Sequence, residues 1–118
     1  MLIIEDGKRI FLACGKTDMR KHINGLACIV ESSFDLDLFS NAIFVFCNRS
    51  KDCIKALTWD GDGFLLHTKR LEKGSFRWPS YEGDSTMEFS KDELTCLLQA
   101  PKVVQKIKRD EIKVGAVV

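Results

Sequence analysis

The strongest constraint on the fold is the run of residues 53 to 79, which contains both tryptophans of the chain. Two runs rich in apolar, β-branched and aromatic residues, 53 to 59 and 64 to 71, flank an Asp-Gly-Asp-Gly loop at positions 60 to 63. Such a loop supplies the positive φ angles that a tight hairpin turn requires. The pattern therefore predicts a β-hairpin.

A third strand is predicted behind this hairpin. Residues 72 to 75 have the composition of a turn, and Phe76, Arg77 and Trp78 predict a short strand. Pro79 ends that strand, because proline donates no hydrogen bond to a sheet. The whole segment would then be an antiparallel meander.

Both faces of the predicted sheet carry apolar residues. In the first strand of the hairpin, Leu57 and Trp59 share one face, while Ile54 and Ala56 share the other. One face is expected to lie on the core. The apolar surface of the other face predicts a covering helix or a partner molecule.

Two helices are predicted outside the hairpin. Apolar residues at helical spacing follow Thr17 and Asp18, either of which is able to cap a helix at residues 19 to 33. A second capping pattern, Ser90-Lys91-Asp92-Glu93, predicts a shorter helix that Pro101 ends.

The predicted fold is α+β, a single domain with a mainly antiparallel sheet of about five strands. One longer helix follows the first strand, and a short helix lies near the C-terminus. Further strands are predicted at residues 9 to 14, 42 to 47 and 85 to 89. The second of these is almost continuously apolar and is expected at the centre of the sheet, whereas the third is expected at an edge.

The chain of 118 residues has the length of one domain, assigned here to residues 1 to 100. Residues 101 to 118 form a tail with apolar residues spaced among basic ones. This pattern is equally typical of an amphipathic helix that docks on a partner and of a disordered end.

Composition argues against several classes of protein. The chain has 45% hydrophobic and 30% charged residues, which is ordinary for a globular protein. Because no apolar run approaches the roughly 20 residues of a membrane span, no membrane partner is expected. No pattern typical of a signal peptide is visible, so a cytoplasmic location is expected. The five cysteines form no C-x-x-C pair, which predicts free, mostly buried thiols and no metal site.

No residues stand out as catalytic, and no cofactor is expected. Asp60 and Asp62 are the pair most able to hold a divalent metal, but aspartate beside glycine is also what a tight turn uses. His22 and His67 have no evident partner in the sequence. The chain is therefore predicted not to be an enzyme, and a metal-dependent nuclease is the least favoured alternative.

Charge is unevenly distributed along the chain although the net charge is only +1. Basic residues in the run from 49 to 79 are interleaved with Trp59, Phe76 and Trp78. Such a mixture is able to contact phosphates and to stack on bases. It therefore indicates a nucleic-acid partner, although a solvated surface and a core tryptophan are the ordinary alternatives.

Several of these motifs together resemble a known family. The matching stretches cover about residues 9 to 100 and include Phe-Leu-Ala-Cys-Gly-Lys-Thr-Asp-Met-Arg-Lys at 11 to 21, Asn-Gly-Leu at 24 to 26, Trp-Asp-Gly-Asp-Gly at 59 to 63, Lys-Arg-Leu-Glu-Lys-Gly at 69 to 74 and Phe-Arg-Trp-Pro at 76 to 79. They look like the accessory protein, often called TnpB, that is encoded by the second reading frame of insertion sequences of family sixty-six. The resemblance implies a role in DNA transposition beside a separate transposase, which supplies the strand-transfer chemistry.

Two hypotheses on partners follow. A non-catalytic accessory factor would bind insertion-sequence DNA through seven basic residues, of which most lie inside the matching motifs: Arg20, Lys21, Arg49, Lys55, Lys69, Arg70 and Arg77. A protein adaptor would instead bind the transposase of the same element through Trp59 and Trp78, because tryptophan is enriched in interfaces. A homodimer is compatible with both.

Overall fold

A computed structural model of the chain describes residues 7 to 33, 36 to 79 and 86 to 106. Its strands are β1 (Arg9–Ala13), β2 (Ala42–Cys47), β3 (Cys53–Trp59), β4 (Phe64–Arg70) and β5 (Thr86–Phe89). The helices are α1 (Ile23–Cys28), which continues as a π-helical turn (Ile29–Ser33), and α2 (Lys91–Lys106). No helix in these three ranges is long and apolar enough to span a membrane.

The five strands form one sheet in the order β4-β3-β2-β1-β5. Every neighbouring pair is antiparallel except β1 and β2, which run parallel. Parallel neighbours need a long crossover, and the segment containing α1 supplies it. The predicted α+β fold with a mainly antiparallel sheet is confirmed, and the parallel pair is a feature that the sequence pattern did not predict.

Strand β2 lies at the centre of the sheet and is buried along its whole length, as predicted. Phe44 and Phe46 point to the face where Leu26 of α1 packs, which we call the α1 face. Val45 points to the opposite face, where Leu94 of α2 packs, which we call the α2 face. The sheet is therefore covered on both sides, which accounts for the continuous apolar sequence of β2.

The segment that follows the hairpin is not a third strand of a meander, so that prediction is wrong. Phe76 and Trp78 are buried on the α2 face. The backbone of this segment forms hydrogen bonds with the turn before β3 and with the residues after β1, and it forms no strand beside β4. The amide of Phe76 donates to the carbonyl of Lys51 at 2.6 Å, and the indole N–H of Trp78 donates to the carbonyl of Ala13 at 2.8 Å. The alternation that resembled a strand comes from a segment crossing the sheet with every second side chain in the core.

The first helix begins later than predicted. It starts at Ile23 after an N-cap at His22 that makes no side-chain capping bond, rather than near residue 19 after Thr17 or Asp18. The carboxylate of Asp18 instead accepts the backbone N–H of Arg20 at 2.9 Å. Residues 18 to 21 form a separate turn, in which the amide of Lys21 donates to the carbonyl of Asp18 at 3.1 Å.

The second helix is capped as predicted but ends later. Ser90 and Glu93 exchange both bonds of a capping box, at 2.8 and 3.1 Å. The helix then continues through Pro101 to Lys106, so Pro101 does not end it. A proline inside a helix loses one hydrogen bond and crowds the carbonyl four residues before it, but its φ angle is helical, so it disfavours the helix without ending it. The predicted tail is thus helical at its start, and residues 107 to 118 lie outside the described residues.

The cysteines are free, as predicted, but most are not buried. Only Cys14 and Cys47 are buried, Cys53 is partly exposed, and Cys28 and Cys96 are exposed. Burial raises the pKa of the Cys47 thiol to about 12, which disfavours the reactive thiolate.

We expect this exposure pattern to set the rate of thiol modification. With a maleimide at pH 8, Cys28 and Cys96 should be labelled first, and Cys47 only when the protein unfolds, as measured by peptide mass spectrometry over time. Labelling in denaturant, where all five thiols should react, is the control. Labelling of native Cys47 as fast as Cys96 would contradict the described packing of β2.

Candidate functional site

Three chain segments meet at the end of the sheet where β1, β2 and β4 end and β3 begins. They are residues 15 to 21, 48 to 52 and 69 to 79, and we call them together the basic end. Backbone bonds tie them to the sheet and to one another: Thr17 to Cys47 at 2.8 Å, Leu71 to Asp52 at 2.7 Å, Phe76 to Lys51 at 2.6 Å and Gly15 to Pro79 at 3.3 Å. The loops that are distant in sequence therefore form one connected surface.

The basic end carries half of the 18 lysines and arginines of the chain. Its three segments contain nine lysines and arginines against three acidic residues, a net charge of +6 in a chain whose total is +1. The nine are Lys16, Arg20, Lys21, Arg49, Lys51, Lys69, Arg70, Lys73 and Arg77, and all are exposed except Lys69, which is half-buried. A concentration of one sign of charge on one surface attracts polyanions.

Six of the seven predicted DNA-binding residues lie at this end, and Lys55 does not. The six come from all three segments, so only the topology of the sheet brings them together. Lys16, Lys51 and Lys73 lie there as well, although the predicted set omits them. Each of these three lysines lies within three residues of the start or end of a strand, and this position in the sequence would have been a reason to include them in the predicted set.

Lys55 is a buried structural residue, which corrects its prediction as a DNA contact. Its side chain lies on the α1 face of β3 with only 6% of the residue exposed. The ammonium group donates to the carbonyls of Met19 and Lys21, both at 2.8 Å. These bonds fasten the turn of residues 18 to 21 to the sheet, so Lys55 positions Arg20 and Lys21 rather than joining them at the surface.

Arg20 is held by Asp18 within the same turn. Its guanidinium donates to the Asp18 carboxylate at 2.7 Å, and 91% of the arginine side chain is exposed. Hydrogen bonds from Arg20 hold the pKa of Asp18 well below its usual range, so this carboxylate stays ionised at neutral pH. Asp18 offsets part of the positive charge that Arg20 brings to the basic end.

Asn48 shapes the turn between β2 and β3. Its side-chain carbonyl accepts the amides of Asp52 and Cys53 at 3.0 and 3.1 Å, and its side-chain amide donates to Asp52 at 2.7 Å. Lys51 in this turn has a φ angle of 61°, in the left-handed region. The turn presents Arg49 and Lys51 to solvent.

The opposite end of the sheet carries a cluster of aromatic rings, Phe39, Trp59 and Phe64, which we call the aromatic tip. The ring centre of Trp59 lies 5.0 Å from that of Phe39 and 4.9 Å from that of Phe64. Phe39 is 55% exposed and Trp59 is half-buried. Seven residues of β3 separate this tip from the basic end, a distance of about 20 Å.

The two tryptophans predicted as partner contacts are therefore in different environments. Trp59 lies in the aromatic tip and retains exposed surface. Trp78 is only 5% exposed and belongs to the core on the α2 face. The prediction that Trp78 contacts a partner is therefore wrong. Its ring is packed in the core, and its indole N–H already donates to the carbonyl of Ala13.

Asp60 and Asp62 lie in the hairpin turn at the aromatic tip and are exposed. The amide of Asp60 donates to the carbonyl of Gly63 at 2.7 Å, and Gly61 has a φ angle of 84°, as a tight turn requires. Within the described ranges, no three His, Cys, Asp or Glu side chains are grouped closely enough to hold a metal ion.

A family model described as "IS66 Orf2 like protein" matches residues 8–108. The chain belongs to the IS66 Orf2-like family. Membership implies an accessory role in transposition and is consistent with a protein that is not an enzyme. The match extends past Pro101, farther than the motifs quoted from the sequence.

Two curated proteins from Sinorhizobium fredii (strain NBRC 101917 / NGR234) are similar to this IS66 Orf2-like chain. "Uncharacterized protein y4jC" is 36% identical over 107 residues, which cover 91% of this chain and 90% of the relative. "Uncharacterized protein y4hO" is 40% identical over 90 residues, which cover 76% and 77% of the two chains. No solved structure matches the chain.

Replacing Lys55 with methionine should destabilise this IS66 Orf2-like protein. The variant Lys55→Met keeps the aliphatic stem but leaves the carbonyls of Met19 and Lys21 without their donor, so we expect a loss of about 2 kcal/mol in the free energy of unfolding. Urea denaturation followed by circular dichroism measures it. Lys73→Met, at an exposed lysine, is the matched control and should change stability little. Equal stability of the two variants would remove the structural role of Lys55.

Proposed function

We propose that this IS66 Orf2-like protein binds the DNA of its own insertion sequence through the basic end. The observation that carries the proposal is the convergence of six predicted basic residues from three segments on one surface with a net charge of +6. Family membership supports it with an accessory role in transposition, a process in which DNA is the substrate. Strand-transfer chemistry is left to the transposase.

The geometry favours duplex DNA recognised through its phosphates. Binding to single strands usually relies on exposed aromatic rings that stack on bases. The aromatic residues of the basic end, Phe76 and Trp78, are 1% and 5% exposed, so they offer no stacking surface. Exposed lysines and arginines remain, and these contact the backbone and make affinity depend steeply on salt.

Removing charge from the basic end should weaken DNA binding and reduce its salt dependence. In the double variant Arg49→Gln/Arg77→Gln, loss of two phosphate contacts should reduce the slope of log K against log salt by about 1.8. Fluorescence anisotropy of a labelled duplex from the end of the parent element, across a salt series, measures both quantities. A scrambled duplex and a single strand of the same length distinguish sequence-specific, duplex and single-strand binding.

The matched control removes two positive charges from the other end of the sheet. Lys8→Gln/Arg9→Gln changes the net charge by the same amount, next to the start of β1. It should retain the wild-type slope. If both double variants reduce affinity and slope equally, binding depends on total charge and the basic end is not the site.

A second candidate function is an adaptor that binds the transposase through the aromatic tip. It is supported by the exposure of Phe39 and by the remaining exposed surface of Trp59. Capture of the protein by immobilised transposase should then be lost in Phe39→Ser and kept in Arg49→Gln/Arg77→Gln. Capture by both variants alike would count against this surface.

A further inference from the structure

Strand β4 lies at one edge of the described sheet with seven residues, Phe64–Arg70, against four in the other edge strand β5. Within the described residues it pairs only with β3. A long open edge is a template for pairing with another strand, and proteins commonly shield such edges. The partner that this edge fits can be read from its own residues.

The outward backbone groups of β4 follow from the hairpin bonds. Asp60 donates to Gly63 and Leu71 donates to Asp52, both at 2.7 Å, so the residues of β4 that bond β3 are the odd-numbered ones between these two pairs. The N–H and C=O groups of the even-numbered residues, Phe64, Leu66, Thr68 and Arg70, therefore point away from the sheet.

This edge is complementary to a second copy of itself. If two β4 strands pair antiparallel with Leu66 opposite Leu66 of the other copy, Phe64 lies opposite Thr68, and Asp62 in the turn lies opposite Arg70. A shift by two residues in one direction would instead place Asp62 opposite Glu72, a like charge, which is destabilising. The register centred on Leu66 thus combines an apolar centre with opposite charges at both ends.

Side-chain exposure agrees with an added strand. Leu65, on the α2 face, is 44% exposed, and it is one of two large hydrophobic residues that are exposed in the described part of the chain. On the α1 face, Phe64 and Leu66 are half-buried. A strand paired to this edge would cover apolar surface on both faces of the sheet at once, which a helix docked on one face does not do.

We propose that two copies of the protein pair antiparallel through β4, centred on Leu66, and form one continuous sheet. A charged residue such as Arg70 usually protects an edge strand against pairing with another chain. In this dimer, Arg70 lies opposite Asp62 of the other copy, so its charge is compensated. The pairing makes about six backbone hydrogen bonds, two for each pair of outward residues that face each other. This proposal does not rest on DNA binding, although Arg70 belongs both to the basic end and to this edge.

The test is the oligomeric state of the full-length protein, measured by sedimentation velocity over a concentration series. We expect a monomer–dimer equilibrium that Leu66→Pro abolishes. Because the amide of Leu66 points outward, proline there leaves the bonds between β3 and β4 intact, and circular dichroism should confirm that the variant is folded. A protein that stays monomeric at every concentration would overturn the proposal.

Charge exchange tests the register itself. Arg70→Asp brings like charges together twice in the dimer and should raise the dimer dissociation constant about tenfold. The double variant Asp62→Arg/Arg70→Asp should restore it, since the opposite charges face each other again. A dimer that is insensitive to Leu66→Pro, or a double variant that is no tighter than Arg70→Asp, would overturn this interface. A monomer whose capture by transposase is lost in Leu66→Pro would assign the edge to that partner instead.

Discussion

The ammonium group of Lys55 is the interaction on which the arrangement of the basic end depends. A lysine buried in a sheet has to donate its N–H groups to hydrogen-bond acceptors, and here the carbonyls of Met19 and Lys21, in the turn before α1, accept them. The turn is thereby fastened to β3 before α1 begins. Without the two hydrogen bonds from Lys55, the segment that carries Arg20 and Lys21 would be held to the sheet mainly by the bond from the amide of Thr17 to the carbonyl of Cys47.

The fold separates two chemical characters along the strands. The crossover through α1 places the ends of β1 and β2 side by side, and the hairpin returns the end of β4 to the same level. Basic loops follow all of these ends, whereas acidic and aromatic residues occupy the far turn of the hairpin. Charge that is nearly balanced over the whole sequence is therefore strongly polarised in space, and one molecule has two surfaces of different chemical character.

Local features were predictable from sequence, and features set by distant contacts were not. The capping box of Ser90 and Glu93, the hairpin turn and the buried strand β2 are encoded by adjacent residues and were predicted correctly. The start of α1 and the burial of Lys55 depend on each other across 36 and 34 residues, so neither periodicity nor propensity reveals them. Phe76 and Trp78 alternated like a strand because the core selects alternate side chains in any extended segment. The clustering of the basic residues required the topology of the sheet, and family membership supplied the accessory role of the protein in transposition.

The pairing of β5 with β1 has a consequence for how the protein is made. Strand β1 leaves the ribosome long before one of its two neighbours, β5, and before the helix that covers Ile10 and Leu12. Until then β1 has an open edge and an apolar face exposed to water, a state that favours aggregation. A frameshift or early stop before residue 86 would thus yield no smaller functional module but a chain whose sheet lacks one edge and one cover.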